Sequence, residues 1–450
     1  MKSENALIPN KNPLFCSMKF YSTQHKAPLA TLKEAVLNGL PNDNGLYMPE
    51  RITPLSVEFL NNFQQYSFRQ IAYQVAHTLL QNSIDADLLK SITDEAVNFE
   101  APVNMLSNNI GALELFYGPS LAFKDFGARF MARLMSNFVK DEKRPLHILV
   151  ATSGDTGGAV ALGFYNVPNI QVTILYPKGK VSNLQELQLT TLGKNITALE
   201  VDGVFDDCQA LVKQAFLDVE LRKQLLISSA NSINISRLVP QMFYYFEAVK
   251  QVMDSKRPIA MSIPSGNFGN ITAGLIAQKM GLPIHKFIAA VNNNDGFFHY
   301  LKDGVFTAKT SKETLSTAMD VGNPSNLARI NDIFESDVEQ IKKSITSYTY
   351  NNKQTEEALK EIHQKYNYIS DPHGAVGYLG IQAYIKENPE ALGIFQVTAH
   401  PAKFKPTVEP ILNTKVEIPK NLAVLIGKKK QAIAMDINYT SFKKYLNTLI

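Results

Sequence analysis

The sequence predicts an α/β protein with a mainly helical N-terminal region. From residue 32 to about residue 98, apolar residues recur at the spacing of helix faces, among them Phe59, Phe63, Ile71, Val75 and Leu79. Beyond this region, short apolar runs rich in β-branched residues alternate with longer helical patterns. Such alternation is typical of largely parallel sheets covered by helices.

The predicted strands are residues 146–151, 172–176, 196–201, 226–229, 259–263, 287–291 and 394–397. We expect residues 18–100 to form the N-terminal domain, residues 101–240 a smaller α/β domain and residues 241–450 a larger one. A ligand cleft is expected where the two α/β domains meet, because domain interfaces are common ligand sites. Residues 1–17 are polar, which predicts a flexible extension, and translation from Met18 is the alternative.

Composition excludes several classes of protein. A chain of 450 residues exceeds one ordinary core. The 45 basic and 41 acidic residues give a net charge of only +4 and are scattered, so nucleic acid is not an expected partner. No apolar run reaches the length of a membrane span. The two cysteines, Cys16 and Cys208, form no zinc spacing, so we expect no metal site, and they suit a reducing cytoplasm.

Lys124 is the first candidate for chemistry. It precedes the apolar pattern of Phe126, Phe130 and Leu134, which predicts a helix that starts near Asp125. The positive end of that helix and the apolar neighbours both disfavour an ammonium ion, which favours a neutral, nucleophilic amine. A solvated lysine paired with Asp125 is the alternative interpretation, since most lysines are exposed.

Two glycine-containing loops follow predicted strands and precede predicted helices. The first loop spans residues 152–158 (TSGDTGG) before a helix predicted from about residue 159, and the second spans residues 264–270 (PSGNFGN) before a helix predicted at 272–280. At such turns the free backbone N–H groups of the first helical turn bind anions. Tight turns without a ligand are the alternative. Neither loop matches a nucleotide-binding motif.

Together the lysine and the two loops indicate pyridoxal phosphate (PLP). A primary amine condenses with a carbonyl cofactor, and the loops would supply N–H groups to a phosphate and to a carboxylate. Ligands of open α/β sheets gather at the carboxyl ends of the strands, which is where both loops lie.

The order and spacing of several motifs along the chain resemble those of threonine synthases. These are fold-type II PLP enzymes with a tryptophan synthase β-like fold. The resemblance runs from about Met18 to the C-terminus, and residues near Tyr21 and 45–49 (GLYMP) are similar to the longer-chain bacterial and fungal branch. The motifs are residues 122–130 (AFKDFGARF), 152–157 (TSGDTG), 231–237 (NSINISR), 264–270 (PSGNFGN), 318–320 (AMD) and 398–404 (TAHPAKF).

The resemblance implies a role for each matching position. Lys124 would bind PLP covalently and move protons on the substrate, and Thr398 would hydrogen-bond the pyridine nitrogen. The cofactor phosphate would lie in the glycine loop, formed by Gly266, Asn267, Phe268, Gly269 and Asn270. The substrate would contact the first loop and the stretch after the strand 226–229, through Thr152, Ser153, Gly154, Asp155, Thr156, Asn234 and Arg237. A surface ion pair is the alternative for Arg237.

The implied reaction converts O-phospho-L-homoserine and water into L-threonine and phosphate, the last step of threonine biosynthesis. A related phospho-lyase that releases 2-oxobutyrate is the nearest alternative. A non-catalytic protein with this fold is a second alternative, and it is disfavoured because Lys124 and both loops are present. By the same resemblance we expect a monomer, and the cysteine usage predicts a cytoplasmic protein.

Overall fold

The structure is a computed structural model that describes residues 17–450. The predicted extension at residues 1–17 lies outside this range except for Ser17. In chain order the strands are β1 (Phe20–Ser22), β2 (Tyr47–Pro49), β3 (Val103–Met105), β4 (Ile110–Glu114), β5 (Leu146–Ala151), β6 (Ile170–Pro177), β7 (Ile196–Val201), β8 (Leu226–Ser229), β9 (Ile259–Pro264), β10 (Lys286–Val291), β11 (Ile345–Thr349), β12 (Leu392–Val397) and β13 (Ile433–Met435).

The helices of the described residues follow the same order. They are α1 (Leu32–Asn38), α2 (Val57–Asn62), α3 (Phe68–Leu80), α4 (Ala86–Ala96), α5 (Lys124–Phe138), α6 (Asp155–Phe164), α7 (Asn183–Thr190), α8 (Phe205–Leu217), α9 (Val219–Gln224), α10 (Ile235–Leu238), α11 (Gln241–Val252), α12 (Gly269–Lys279), α13 (Gly296–Asp303), α14 (Leu327–Ile333), α15 (Val338–Ser344), α16 (Asn352–Tyr366), α17 (Pro372–Glu387), α18 (Lys405–Leu412), α19 (Lys420–Ala423) and α20 (Tyr439–Asn447).

The N-terminal region contains helices α1 to α4 and the antiparallel pair β1–β2. Helix α1 starts at a capping box, in which the Thr31 hydroxyl accepts from the Glu34 N–H and the Glu34 carboxylate accepts from the Thr31 N–H. The region is fixed to the rest of the chain by Arg329, a fully buried side chain. Its guanidinium donates to the carbonyls of Tyr47 (3.0 Å) and Ile233 (2.7 Å). A buried cation there joins β2 to the stretch that precedes α10.

The larger sheet has six strands in the order β11-β10-β9-β12-β4-β3. All neighbours are parallel except β3, which pairs antiparallel with β4 at the edge. The residues of β9 and β12 are all buried, which is the rule for parallel strands covered on both faces. Helix α17 packs on this sheet, and Gly380 allows the contact because a Cβ there would lie 2.6 Å from the Ser262 hydroxyl.

The smaller sheet has five parallel strands in the order β13-β7-β6-β5-β8. Helices α5 and α6 pack together beside it, and Gly163 lets them approach closely, since a Cβ there would lie 3.1 Å from the backbone of Ala128. None of the helices in the described range is both long and apolar enough to cross a membrane.

The chain passes between the two sheets several times. Strands β3 and β4 precede the smaller sheet in sequence but belong to the larger one, and β13 near the C-terminus returns to the smaller sheet. Residues 103–114 lie in the predicted smaller domain but pair in the larger sheet. Residues 433–435 lie in the predicted larger domain but pair in the smaller sheet. The domain limits themselves stay predictions, because strand pairing does not delimit folding units.

The predicted fold class is confirmed, and the predicted strands coincide with β5 to β10 and β12 within two residues at each end. The prediction that a helix starts near residue 159 is wrong, since α6 begins at Asp155. Gly157 and Gly158 weaken the helical signal there, although they are needed for packing: a Cβ at Gly157 would lie 2.6 Å from the Thr152 methyl group. Helix α12 likewise begins at Gly269 and not at residue 272.

Candidate active site

The predicted site residues converge at the carboxyl ends of three strands. The first loop joins β5 to α6, the second joins β9 to α12, and Thr398 directly follows β12. Backbone pairing places Lys124 beside Thr398: the Phe123 N–H donates to the Thr398 carbonyl (2.9 Å), and Ala122 forms a bridge with Ala399. Residues more than 270 positions apart thus form one wall of the site.

Lys124 is the first residue of α5, and its side chain is only 16% exposed. Burial lowers the pKa of its amine to about 8, with help from the positive charges of Lys403 and Arg237 and against the negative charges of Asp155 and Asp371. A larger fraction of this amine is uncharged near neutral pH than in an exposed lysine. The direction of this shift agrees with the prediction from the sequence.

Asp155 lies between two lysines. Its Oδ1 accepts from Lys403 Nζ (2.7 Å) and Gln185 Nε2 (2.9 Å), and its Oδ2 lies 3.9 Å from Lys124 Nζ. Burial alone would raise the pKa of Asp155, but the charges of both lysines and the hydrogen bonds hold it below its ordinary value. Asp155 is therefore an anion that faces the reactive amine.

The first loop is closed by a side chain. The Thr152 hydroxyl accepts from the N–H groups of Gly154 (2.9 Å) and Gly157 (2.8 Å). Gly154 has a φ of +134° and a Cβ there would lie 2.6 Å from the Gln185 side chain, so glycine is required at this turn. Ser153 and Thr156 are half-buried, and the Ser153 N–H has no acceptor among the described residues. Thr152 is thus a loop-forming residue, while Ser153 offers a free donor.

The second loop forms a cradle of backbone donors. The N–H groups of Gly266, Asn267 and Phe268 have no hydrogen-bond acceptor in residues 17–450. Phe268 adopts a left-handed conformation (φ 58°) directly before Gly269, the first residue of α12. Successive free N–H groups at a helix start bind phosphate groups.

Side chains hold this second loop in place. Asn267 donates to the Ser232 hydroxyl (2.7 Å) and accepts from the Ser325 N–H (2.6 Å). Asn270 turns inward and donates to the Pro264 carbonyl (3.0 Å). Both amides therefore position the loop through contacts within the protein.

The backbone of residues 318–319 lies against the second loop, since a Cβ on Gly266 would be 2.8 Å from Met319 Cα. His373 holds this backbone: its Nε2 accepts from the Ala318 N–H (3.1 Å), and its Nδ1 faces Asp371 Oδ1 (2.6 Å). Asp371 fixes the tautomer of His373 by accepting the Nδ1 proton. This buried pair belongs to the wall of the site, and its connection to the loop has no signal in the sequence.

Asn234 and Arg237, which follow β8, have side chains that are buried within the protein. Asn234 caps α10, donates to the Val36 carbonyl (2.8 Å) and accepts from Ser236, so its polar atoms bind the protein. Arg237 donates to the Ala230 carbonyl, and burial lowers its pKa to about 10. Its Nε is buried without a partner in the described chain. Substrate contact by these two residues stays a prediction, and Arg237 is not on the surface.

Lys403 is a site residue that sequence reasoning missed. It belongs to the quoted motif 398–404, but its side chain is fully buried between Asp155 and the Ser120 carbonyl (2.9 Å). Lysine is mostly exposed in proteins, so residue type and local pattern do not predict a buried ammonium ion here.

The residues present fit pyridoxal phosphate. A buried amine with a lowered pKa lies beside Thr398 in the backbone pairing, and the cradle of unpaired N–H groups follows β9, the strand next to β12. The described residues offer the Thr398 hydroxyl no hydrogen-bond partner. An amine binds a carbonyl carbon, the cradle binds a phosphate, and the hydroxyl can bind a ring nitrogen without carrying charge.

Comparison with known proteins supports this assignment. Residues 106–393 match the family of pyridoxal-phosphate dependent enzymes, residues 19–97 match the threonine synthase N terminus and residues 374–446 match the threonine synthase C-terminal family. Threonine synthase of Escherichia coli is 43% identical over 407 residues, which are 90% of this chain and 94% of that protein.

Two solved structures have the same fold. The crystal structure of threonine synthase from Escherichia coli superposes with a TM-score of 0.90 at 40% identity and covers 96% of this chain and 100% of its own. PLP-bound threonine synthase from Brucella melitensis gives a TM-score of 0.90 at 31% identity, covering 96% and 99%. The chain is a PLP-dependent enzyme, and it belongs to the threonine synthase family.

Proposed function

We propose that this enzyme converts O-phospho-L-homoserine and water into L-threonine and phosphate, the last step of threonine biosynthesis. The observation that carries the proposal is the position of Lys124, whose partly uncharged amine is buried 3.9 Å from the anion Asp155. The family to which the chain belongs supports the choice of reaction.

The proposal assigns the residues that hold the cofactor. Lys124 binds PLP through its amine, and the N–H groups of Gly266, Asn267, Phe268 and Gly269 bind its phosphate. Asn270 stabilises the turn by donating its side-chain amide to the Pro264 carbonyl. Thr398 binds the ring nitrogen with a neutral hydroxyl, which leaves that nitrogen largely unprotonated. When bound, PLP supplies an electron sink that makes the substrate carbon–hydrogen bonds near the amine acidic.

Lys124 then serves as the base and acid of the reaction. It removes the proton from Cα and one from Cβ, phosphate leaves from Cγ, and Cγ is protonated. Water adds at Cβ and a proton returns to Cα. A lowered pKa suits this work, because the same amine must both take and give protons near neutral pH.

The substrate is bound by the first loop and by cations near it. Its carboxylate is an anion that matches the free N–H groups at the start of α6, where Ser153 and Thr156 are half-exposed. Its phosphate requires donors, and we assign Arg237 to it because a guanidinium suits phosphate and its Nε has no partner in the described chain. Asn234 acts by holding the stretch on which Arg237 lies.

The experiment incubates the purified protein and PLP with O-phospho-L-homoserine and measures phosphate, threonine and 2-oxobutyrate in the same samples. Threonine equal to phosphate supports the proposal. Phosphate accompanied by 2-oxobutyrate identifies a phospho-lyase, and release of neither product refutes the substrate.

The proposal includes a monomer in the cytoplasm that binds no nucleic acid. A net charge of +4, with basic residues scattered apart from the short run at 428–430, favours the last point. The buried free thiol of Cys208 suits a reducing compartment. Light scattering on the eluted protein tests the monomer, for which we expect the mass of one 50.1 kDa chain.

A further inference from the structure

Lys403 is a buried cation between the segments that form the site. Its Nζ donates to Asp155 Oδ1 (2.7 Å) at the start of α6 and to the Ser120 carbonyl (2.9 Å), four residues before Lys124. Its own carbonyl accepts from the Ser182 hydroxyl (2.9 Å). No part of the side chain is exposed, so Lys403 does not reach solvent or screen its charge with water.

The two oxygens of Asp155 have unequal partners. Lys403 and Gln185 both donate to Oδ1 at hydrogen-bond distance, whereas Lys124 lies 3.9 Å from Oδ2, beyond a hydrogen bond. We propose that Lys403 is a positioning residue that holds Asp155 in a buried ion pair and thereby leaves the amine of Lys124 without a carboxylate partner of its own.

The charges around Lys124 support this assignment. Two anions, Asp155 and Asp371, and two cations, Lys403 and Arg237, act on its amine. The pair Lys403–Asp155 is neutral as a unit, so protonating Lys124 would add a net positive charge to a buried site. Desolvation disfavours such a charge, and the amine is the group that gives up its proton.

Removal of Lys403 reverses this balance. Asp155 would then be a buried carboxylate whose remaining close ammonium is that of Lys124, and a buried anion demands a partner. An opposite charge within reach raises the pKa of a lysine by about one to three units. The uncharged fraction of the amine near neutral pH would therefore fall by about 10- to 1,000-fold.

The inference rests on the proposed role of Lys124, and its experiment contains no substrate, so it gives the same result whether or not the protein makes threonine. The full-length protein freed of PLP is treated with a low concentration of cyanate between pH 6 and pH 11. Mass spectrometry follows carbamoylation of Lys124, which only the uncharged amine undergoes. Exposed Lys415 in the same sample is the internal reference.

Five proteins are compared: the wild type, Lys403→Met, Asp155→Asn, the double variant and a surface control. We expect the labelling midpoint of Lys124 to rise by about one to three units in Lys403→Met. The midpoint of the double variant should return close to that of the wild type, because the carboxylate that the loss of Lys403 leaves unpaired is absent. Lys353→Met, which removes one surface charge whose side chain is 84% exposed, should leave the midpoint of Lys124 unchanged.

Two results would overturn the proposal. An unchanged or lower midpoint in Lys403→Met would show that Asp155 does not form an ion pair with Lys124 when Lys403 is absent. A labelling midpoint in the double variant as high as that in Lys403→Met would show that only the loss of a like charge matters.

If the methionine variant does not fold, Lys403→Gln is measured instead, since its amide can still donate to the Ser120 carbonyl. PLP uptake without substrate, followed by visible absorbance against pH, should shift in the same direction.

Discussion

Gly266 offers the sharpest test of the phosphate cradle. A Cβ at this position would lie 2.8 Å from Met319 Cα and 3.0 Å from the Ala318 carbonyl oxygen. Both are backbone atoms, held in place by the hydrogen bond from the Ala318 N–H to His373, so they do not rotate away as a flexible side chain would. Gly266→Ala must therefore shift one of two backbone segments, and such overpacking costs about 1–3 kcal/mol.

The matched control is Gly269→Ala in the same loop. The nearest atom to a Cβ there is Asn326 Nδ2 at 3.5 Å, which is an ordinary van der Waals contact. Gly269 is the first residue of α12, where alanine has a better helix propensity than glycine. We expect this variant to keep the stability of the wild type within about 0.5 kcal/mol.

Urea unfolding of both variants without PLP measures the steric cost directly, because the clash exists before the cofactor binds. A shift of the Gly266 loop also displaces its free N–H groups. Loss of one hydrogen bond to a charged group costs about 1.5–3 kcal/mol, so PLP should bind Gly266→Ala roughly 10- to 150-fold more weakly. Equal unfolding of Gly266→Ala and Gly269→Ala would refute the reasoning.

Three further predictions concern buried titratable groups. Lys124→Ala should lose the visible absorbance of retained PLP after gel filtration but keep the circular dichroism of the wild type, and full activity would contradict its role. Burial raises the pKa of Asp125 to about 6, so the stability that this group contributes is present below about pH 4 and is lost as the pH rises to about 6, by roughly 3 kcal/mol. Asp125→Asn should flatten urea stability in that window, and an unaltered slope would disprove the shift. Both ring nitrogens of His147 are buried without a partner in residues 17–450, and burial lowers its pKa to about 4. The free energy of unfolding should therefore fall as the pH drops from about 6.5 to about 4. His147→Leu should remove this loss and be about 1 kcal/mol more stable than the wild type at pH 7. A variant less stable than the wild type at pH 7 would contradict this prediction.

Much of the fold was predictable because its central strands are continuous apolar runs. The limits predicted for β5, β7 and β8 coincide with those of the structure. The strands that were missed lack this signal. Strand β13 has three residues, of which Ile433 and Ala434 are exposed, and β4 is a short strand interrupted by Gly111. Pairing with distant strands creates such elements, and local periodicity does not report distant pairing.

The site was predictable where chemistry and local structure coincide. The two loops follow strands and start helices, so their free N–H groups follow from the sequence alone. The partners of these loops do not. His373 meets the Ala318 N–H across 55 residues, and Lys403 meets Asp155 across about 250 residues. Contacts of this kind depend on the relative position of the two sheets. Residue types and their local spacing do not predict that position.

The bridge between Ala122 and Ala399 has a consequence for the synthesis of this protein. Lys124 emerges from the ribosome long before Thr398 and Lys403, so a partial chain holds the reactive amine without the neighbours that surround it. Strand β13, which completes the smaller sheet, is made later still. We therefore expect tight capture of the cofactor only after translation has passed Lys403, when Thr398 can pair beside Lys124.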